Sequence, residues 1–281
     1  MCGLNLYGCG QMRLPAVLES ARAMSETRTH EALVDQQFGS RAAAYLSSAV
    51  HAQGADLQAL AALVDTQTQA HVLDLGCGAG HVSFNVAPRA RDVVAYDLSA
   101  DMLDVVARAA AERGFTNIAT RQGVAEQLPF PDRSFDCVLS RFSAHHWREF
   151  EAALREVVRV LRPGGIVGFV DSISPGRALL DTYLQAVELL RDPSHVRNYS
   201  RAEWDAAMVR AGLRPESASV YRLRLDFASW VERMGTPKVR VDAIRALQAA
   251  SSRSVERYFE IGPDGSFNLD VGLFQASRAP S

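Results

Sequence analysis

His71 to Ser83 reads HVLDLGCGAGHVS. A short apolar run of β character ends in Asp74, a turn follows with glycine at positions 76, 78 and 80, and the next residues can open a helix. Alternate glycines let the backbone turn sharply from strand into helix and let a ligand lie directly on the main chain.

The details of this loop select among ligands. A dinucleotide fingerprint reads G-x-G-x-x-G, whereas here Gly76-Cys77-Gly78-Ala79-Gly80 follows a carboxylate, Asp74, two residues before the first glycine. A carboxylate there repels a pyrophosphate and suits a ligand carrying an ammonium group, such as S-adenosylmethionine (SAM). A second anchor follows, because the apolar run Val93-Val94-Ala95-Tyr96 ends in Asp97, 17 residues after Gly80. That is close to the roughly 20 expected for an acid gripping ribose hydroxyls at the tip of the second strand.

Further stretches extend the pattern: AYDLSADML at 95–103, AEQLPFPDRSFDCVLS at 125–140 and LREVVRVLRPGG at 154–165. With VLDLGCGAG at 72–80 they resemble the class I SAM-dependent methyltransferases, specifically the UbiE-like "methyltransferase type 11" group. QQFGSRAAAYLSSAVHAQGADLQ at 36–58, SRFSAHHW at 140–147 and SHVRNYSRAEW at 194–204 are similar to the bacterial YafE-type branch of it. The resemblance covers nearly everything after about residue 30. It implies a Rossmann-like α/β fold with a seven-stranded, mostly parallel sheet, an antiparallel last strand and helices on both faces.

The chain's own periodicity agrees. Leu57, Leu60, Leu63 and Val64 mark an amphipathic helix before the first strand, and Met102, Val105, Val106, Ala109 and Ala110 mark another that Gly114 ends. Ile118 to Thr120 and Asp136 to Ser140 read as the third and fourth strands. Phe150 to Leu161 carries an i, i+3, i+4 stripe stopped by Pro163-Gly164-Gly165, and Ile166 to Val170 is the fifth strand. Beyond Asp171, 177–191, 201–211 and 239–249 read as helices, and 220–227 and 267–276 as strands. The family resemblance, rather than the periodicity, implies that the helices of 177–211 cap the substrate side.

Composition excludes several classes. Among 281 residues, 30 Lys and Arg against 32 Asp and Glu give a net charge of −2, so no global basic field recruits nucleic acid. The four cysteines, at 2, 9, 77 and 137, lack metal-ligand spacing and read as free thiols in a reducing cytoplasm. No apolar run approaches the ~20 residues of a membrane span, and MCGLNLYGCGQMRLP lacks the basic n-region and continuous apolar h-region expected of a signal peptide. Residues 1–34 carry no matching motif and are expected to be a disordered extension before a domain of 35–281, with Met24 as a candidate natural start.

Methyl transfer from a sulfonium is an in-line displacement by an already activated donor, so no nucleophilic side chain and no metal is required. Asp74 is assigned to the methionine ammonium through water, Gly76, Gly78 and Gly80 to close backbone approach, and Asp97 to the ribose. Leu98 and Met102 would pack on the adenine, although Met102 also falls on the core stripe of its helix. Relatives commonly place an acid where Val124 stands, so adenine recognition would fall to backbone at Val124 and Ala125. Cys77 and Ser140 complete the cofactor set; Cys77 and Cys137 otherwise read as small buried residues.

His145 and His146 follow the fourth strand, where a neutral imidazole could take the proton of an attacking phenol or enol; equally they could line the pocket or cap a helix. Arg141 either binds a carboxylate of cofactor or substrate or pairs with a surface acid. By resemblance Phe38 to Tyr45 forms a lid, though Phe38 and Tyr45 could simply pack on the core. Tyr199, with His195 and Arg197, is a candidate substrate contact, and Trp204, Trp230, Tyr183, Phe227 and Tyr199 could roof an aromatic pocket. The expected partner is a small-molecule methyl acceptor, which the family resemblance alone suggests is a quinone precursor or other aromatic. A carboxylate acceptor of the malonyl-thioester type, a SAM-binding protein without turnover and a nicotinamide oxidoreductase are the alternatives.

Overall fold

The computed structural model describes residues 29–39, 54–67 and 69–279. Seven strands form one sheet in the order β3-β2-β1-β4-β5-β7-β6. These are β1 (His71–Leu75), β2 (Asp92–Asp97), β3 (Ile118–Gln122), β4 (Phe135–Arg141), β5 (Leu161–Ile173), β6 (Leu213–Leu225) and β7 (Phe267–Arg278). β1 to β5 pair in parallel, and β7 lies antiparallel between β5 and β6.

The helices are α1 (His30–Gly39), α2 (Ala55–Val64), α3 (His81–Val86), α4 (Ala100–Glu112), α5 (Phe150–Val160), α6 (Ala178–Arg191), α7 (Arg201–Ala211), α8 (Phe227–Met234), α9 (Lys238–Ala249) and α10 (Arg253–Phe259). The Phe150 stripe predicted for α5 faces the sheet: Phe150, Ala153, Leu154 and Val157 are buried with Val138, Val167 and Phe169. On the opposite face Leu57, Leu60 and Val64 of α2 cover Val72, Leu139 and Val170. Central strands covered on both sides read as near-continuous apolar runs, which is why β1, β4 and β5 were plain in the sequence.

Several boundaries differ from expectation. The helix α5 ends at Val160, and Leu161 already pairs with Phe135; the register then jumps to Ile166 opposite Cys137, so Arg162 to Gly165 bulge within the strand. Strand β6 begins at Leu213, seven residues before the predicted start, because a register shift between Pro215 and Ser217 breaks its alternation. It stops at Leu225, since the Asp226 side chain accepts from Ser229 N at 2.9 Å and opens α8, a helix not predicted, as was α10. Residues 1–28 and Tyr45 lie outside the described residues. The domain boundary expected at residue 35 falls inside α1.

The carboxyl ends of the parallel strands bring Asp74, Asp97, Arg141 and Asp171 to one edge. Strand order reverses between β1 and β4, and a crevice opens there.

Candidate active site

The crevice encloses about 1140 Å³, open to solvent at its mouth. Its floor is the loop after β1. Gly76 N and Cys77 N donate to Tyr96 O at 2.8 and 3.0 Å, tying the loop to β2. Gly76 has φ +70°, and a Cβ there would lie 1.8 Å from Ser143 Oγ. Gly78, at φ +50°, faces open space, so its missing side chain clears room on the ligand side. Gly80 instead packs on Val106 and Phe84, away from the cleft.

Asp74 is fully buried. Its Oδ2 accepts from Ser83 N at 2.9 Å and from Ser83 Oγ at 2.6 Å, while Oδ1 has no hydrogen-bond partner among the described residues. Burial pushes its carboxyl up to about 7 against the opposing pull of Ser83. A buried acceptor without a donor awaits one from a ligand, and an ammonium group fits.

Asp97 Oδ2 accepts from Gly78 N at 2.8 Å and Oδ1 from Ser99 N at 2.9 Å. The sequence suggested no structural use for this acid; the structure gives it one, bracing the glycine loop. Each oxygen keeps a second lone pair for a ligand hydroxyl. Leu98, Met102, Val124, Ala125 and Cys77 also line the cleft. Met102 serves both readings, since it is buried with Ala79 and Val105 under Phe38. The Val124 carbonyl accepts from Tyr96 Oη at 3.0 Å. Ser140 is not part of the cleft lining; it is buried within β4 with Oγ unpartnered.

Arg141 reaches the cleft but is committed to Asp56, its guanidinium lying over Phe142 at 4.8 Å; both members of the pair are buried. Arg141 thus pairs with an acid, but a buried one rather than the surface acid expected. Sequence reasoning missed Asp56, which sits 85 positions away.

Helix α1 closes one side. His30 Nε2 donates to His146 O at 3.0 Å, Glu31 pairs with Arg148 at 2.7 Å, and the Phe38 ring meets His146 edge-on at 5.0 Å. His30, Glu31 and Val34 line the cleft, although the sequence offered no signal for them.

The two histidines part company. His145 does not line the cofactor cleft: its Nδ1 donates to Asp171 Oδ1 at 2.5 Å and its backbone N to Asp171 Oδ2 at 3.2 Å. Burial opposes its charge, but the Asp171 carboxylate overrides burial and raises its pKa. His146 lines the cleft, with Nδ1 donating to Ser194 O at 3.0 Å. Asp192 Oδ2 lies 3.8 Å from its Nε2, yet burial and the neighbouring charged His145, ring to ring 4.2 Å, hold His146 neutral.

Tyr199 stacks on Phe150 at 4.1 Å and packs on the core away from the cleft. His195 donates to Gln185 Oε1 at 2.8 Å, and Arg197 bridges Asp181 and Glu203 at 3.1 and 3.0 Å. The SHVRNY run is thus internal bracing. The aromatics expected to form one roof divide: Trp204 belongs to the core with Phe169 and Phe274, whereas Trp230, Phe227 and Tyr183 form a separate cluster. Of the helical cap, α6 borders the active-site side, and α7 packs on α5 and the sheet. Cys77 and Cys137 are free and buried, and burial raises both thiols, Cys137 to about 12. No helix among the described residues is long and apolar enough to cross a membrane.

A model of the methyltransferase domain family matches residues 73–169. The Escherichia coli uncharacterized protein YafE is 50% identical over 204 residues, 73% of this chain and 99% of that protein. The Bacillus subtilis uncharacterized methyltransferase YcgJ is 36% identical over 203 residues, 72% and 80% of the two. The crystal structure of YcgJ superposes with a TM-score of 0.77 at 33% identity, covering 80% of this chain and 99% of that one.

The chain belongs to the SAM-dependent methyltransferases. For a methyltransferase of this kind the unpartnered Asp74 Oδ1 and the cleared space at Gly78 suit the ammonium and main body of SAM.

Proposed function

We propose that this methyltransferase transfers the methyl group of SAM to an oxygen or activated carbon of a small molecule, a quinone precursor or other aromatic leading. The buried, half-satisfied Asp74 at the switch point carries the cofactor part of the reading. Asp74 would hold the methionine ammonium, the loop from Gly76 to Gly80 the adjoining backbone of the ligand, and Asp97 the ribose hydroxyls. Leu98 and Met102 would flank the adenine, with backbone at Val124 and Ala125 along its edge. When bound, SAM supplies an electrophilic methyl group; the protein's residues orient the acceptor, exclude water and take up its proton.

Two relatives support the range of acceptors. The Chlorobaculum tepidum demethylmenaquinone methyltransferase is 32% identical over 119 residues, 47% of its length. The Yersinia pestis malonyl-[acyl-carrier protein] O-methyltransferase is 34% identical over 160 residues, 57% of its length. The second keeps a carboxylate acceptor as the alternative.

Calorimetric titration of SAM and its demethylated product into wild type and Asp97→Ala tests the cofactor assignment. Wild type should bind both, and the variant should lose about 1–3 kcal/mol. Absence of binding to wild type overturns the reading.

A further inference from the structure

A second cavity of about 670 Å³ meets the cofactor cleft along a shared wall of Phe38, Phe142 and His146. Much of its wall is apolar, built from Leu223 and Leu225 of β6, Leu269 and Val271 of β7, and Trp230 and Met234 of α8. One end is polar, with His145, His146, Glu188, Arg191 and Asp192.

The charges at that end are engaged with one another. Arg191 lies 3.6 Å from Glu188, donates to Trp230 O at 3.0 Å and stacks on the Trp230 ring at 4.8 Å. His145 is bound to Asp171. Asp192 Oδ1 accepts from Ser194 N at 2.8 Å and Ser194 Oγ at 2.6 Å, and its Oδ2 faces His146. Arg233, also on the wall, has a partner of its own. An anionic ligand would have to break one of these pairs or be buried without a counter-ion, and a cationic one would be buried beside Arg191 and compete with it and with His145 for the carboxylates; either is costly.

We infer that this second cavity is the methyl-acceptor site and takes an uncharged, mostly apolar molecule presenting one acidic hydroxyl, a phenol or an enol, to His146. The inference rests on the methyltransferase reading above. His146 is the residue common to both cavities that carries a titratable ring. Its Nδ1–H is fixed on the Ser194 carbonyl, which leaves the Nε2 lone pair as proton acceptor, and the Asp192 carboxylate 3.8 Å away stabilises the imidazolium that results. The acceptor's oxygen, or its enol carbon, forms the new bond to the methyl carbon while the bond from methyl to sulfur breaks and its electron pair stays on sulfur. The acceptor's proton passes to His146 Nε2. Ser194 and Asp192 act through His146 and are positioning residues.

The test uses methyl-labelled SAM, the full-length enzyme and the small-molecule fraction of a cell extract, with SAM affinity measured separately. The expected product resists mild alkali, which cleaves methyl esters, and is retained by neither anion nor cation exchanger. Leu223→Trp, at a partly buried position on the cavity wall, should keep SAM affinity within about twofold yet raise the KM for that acceptor about tenfold or more. His146→Gln should lower kcat while sparing SAM affinity. An alkali-labile product, a product held by either exchanger, an unaltered acceptor KM in Leu223→Trp, or tight SAM binding with no small molecule labelled overturns the inference. Loss of SAM binding by wild type would instead overturn the underlying reading.

Discussion

Ser83 gives Asp74 two hydrogen bonds, from its backbone N at 2.9 Å and its hydroxyl at 2.6 Å, and both fall on the same carboxylate oxygen. The other oxygen stays buried without a donor. The residue is thereby oriented for a ligand at a cost to the free protein.

That cost has a pH signature. The folded pKa of about 7 lies above the 3.8 of an exposed aspartate, so between those values the native state holds a proton that the unfolded chain has lost. Stability contributed by this group is full below about 4, falls as pH rises, and is lost above about 7, of order 4 kcal/mol in all. Asp74→Asn should therefore be more stable than wild type at pH 8 and no more stable at pH 4, while losing SAM affinity. Urea unfolding at the two pH values and calorimetry check both halves.

Gly76 and Gly78 should respond differently to alanine. At Gly76 the new methyl group meets Ser143 Oγ at 1.8 Å with φ +70°, so Gly76→Ala should lose roughly 2–4 kcal/mol of stability. At Gly78 nothing lies in the way, and only the left-handed backbone costs, about 1 kcal/mol. Gly78→Ala should fold yet bind SAM weakly, because its methyl group occupies the ligand side. Thermal melts with and without SAM separate the two effects.

The Asp56–Arg141 pair is buried on both sides. Asp56→Ala leaves the guanidinium without its carboxylate, and a loss of about 3–5 kcal/mol is expected. Asp56→Leu with Arg141→Met should recover most of that loss. A double-mutant cycle in urea reads the coupling.

Asp171→Asn should lower the pKa of His145. The carboxylate's charge and hydrogen bond raise that pKa against burial, so removing the charge shifts the balance towards burial and the neutral ring. His146 should then become easier to protonate, since the charge of His145 is one cause of its lowered pKa. Imidazole nitrogen shifts followed by NMR across pH 4 to 9 report both changes, with the two rings moving in opposite directions.

The cleft at the end of β1 was largely legible because its signals are local. Glycines at 76 and 78 are required by positive φ at those positions, and Asp74 and Asp97 close apolar strands whose register is set by burial. The acceptor side was not legible. Strand β6 alternates poorly where it bulges, α8 and α10 are short, and the walls of the second cavity come from segments far apart in the chain. Ser140 and Tyr199 looked available in sequence, yet one lies inside the sheet and the other is stacked on Phe150.

By itself the sequence determined the seven strands and the helices between the first five of them, the loop on which SAM is expected to lie and the two acids beside it, since repeat period, glycine conformation and strand ends depend on near neighbours. Only the tertiary structure decided which charges are engaged and which remain open to a ligand. His145 and His146 are adjacent in the chain, but one meets Asp171 and the other the carbonyl of Ser194, so the pKa of one ring is raised and that of its neighbour lowered. Coulombic and desolvation energies depend on separations in space, and folding sets those separations without regard to position along the chain.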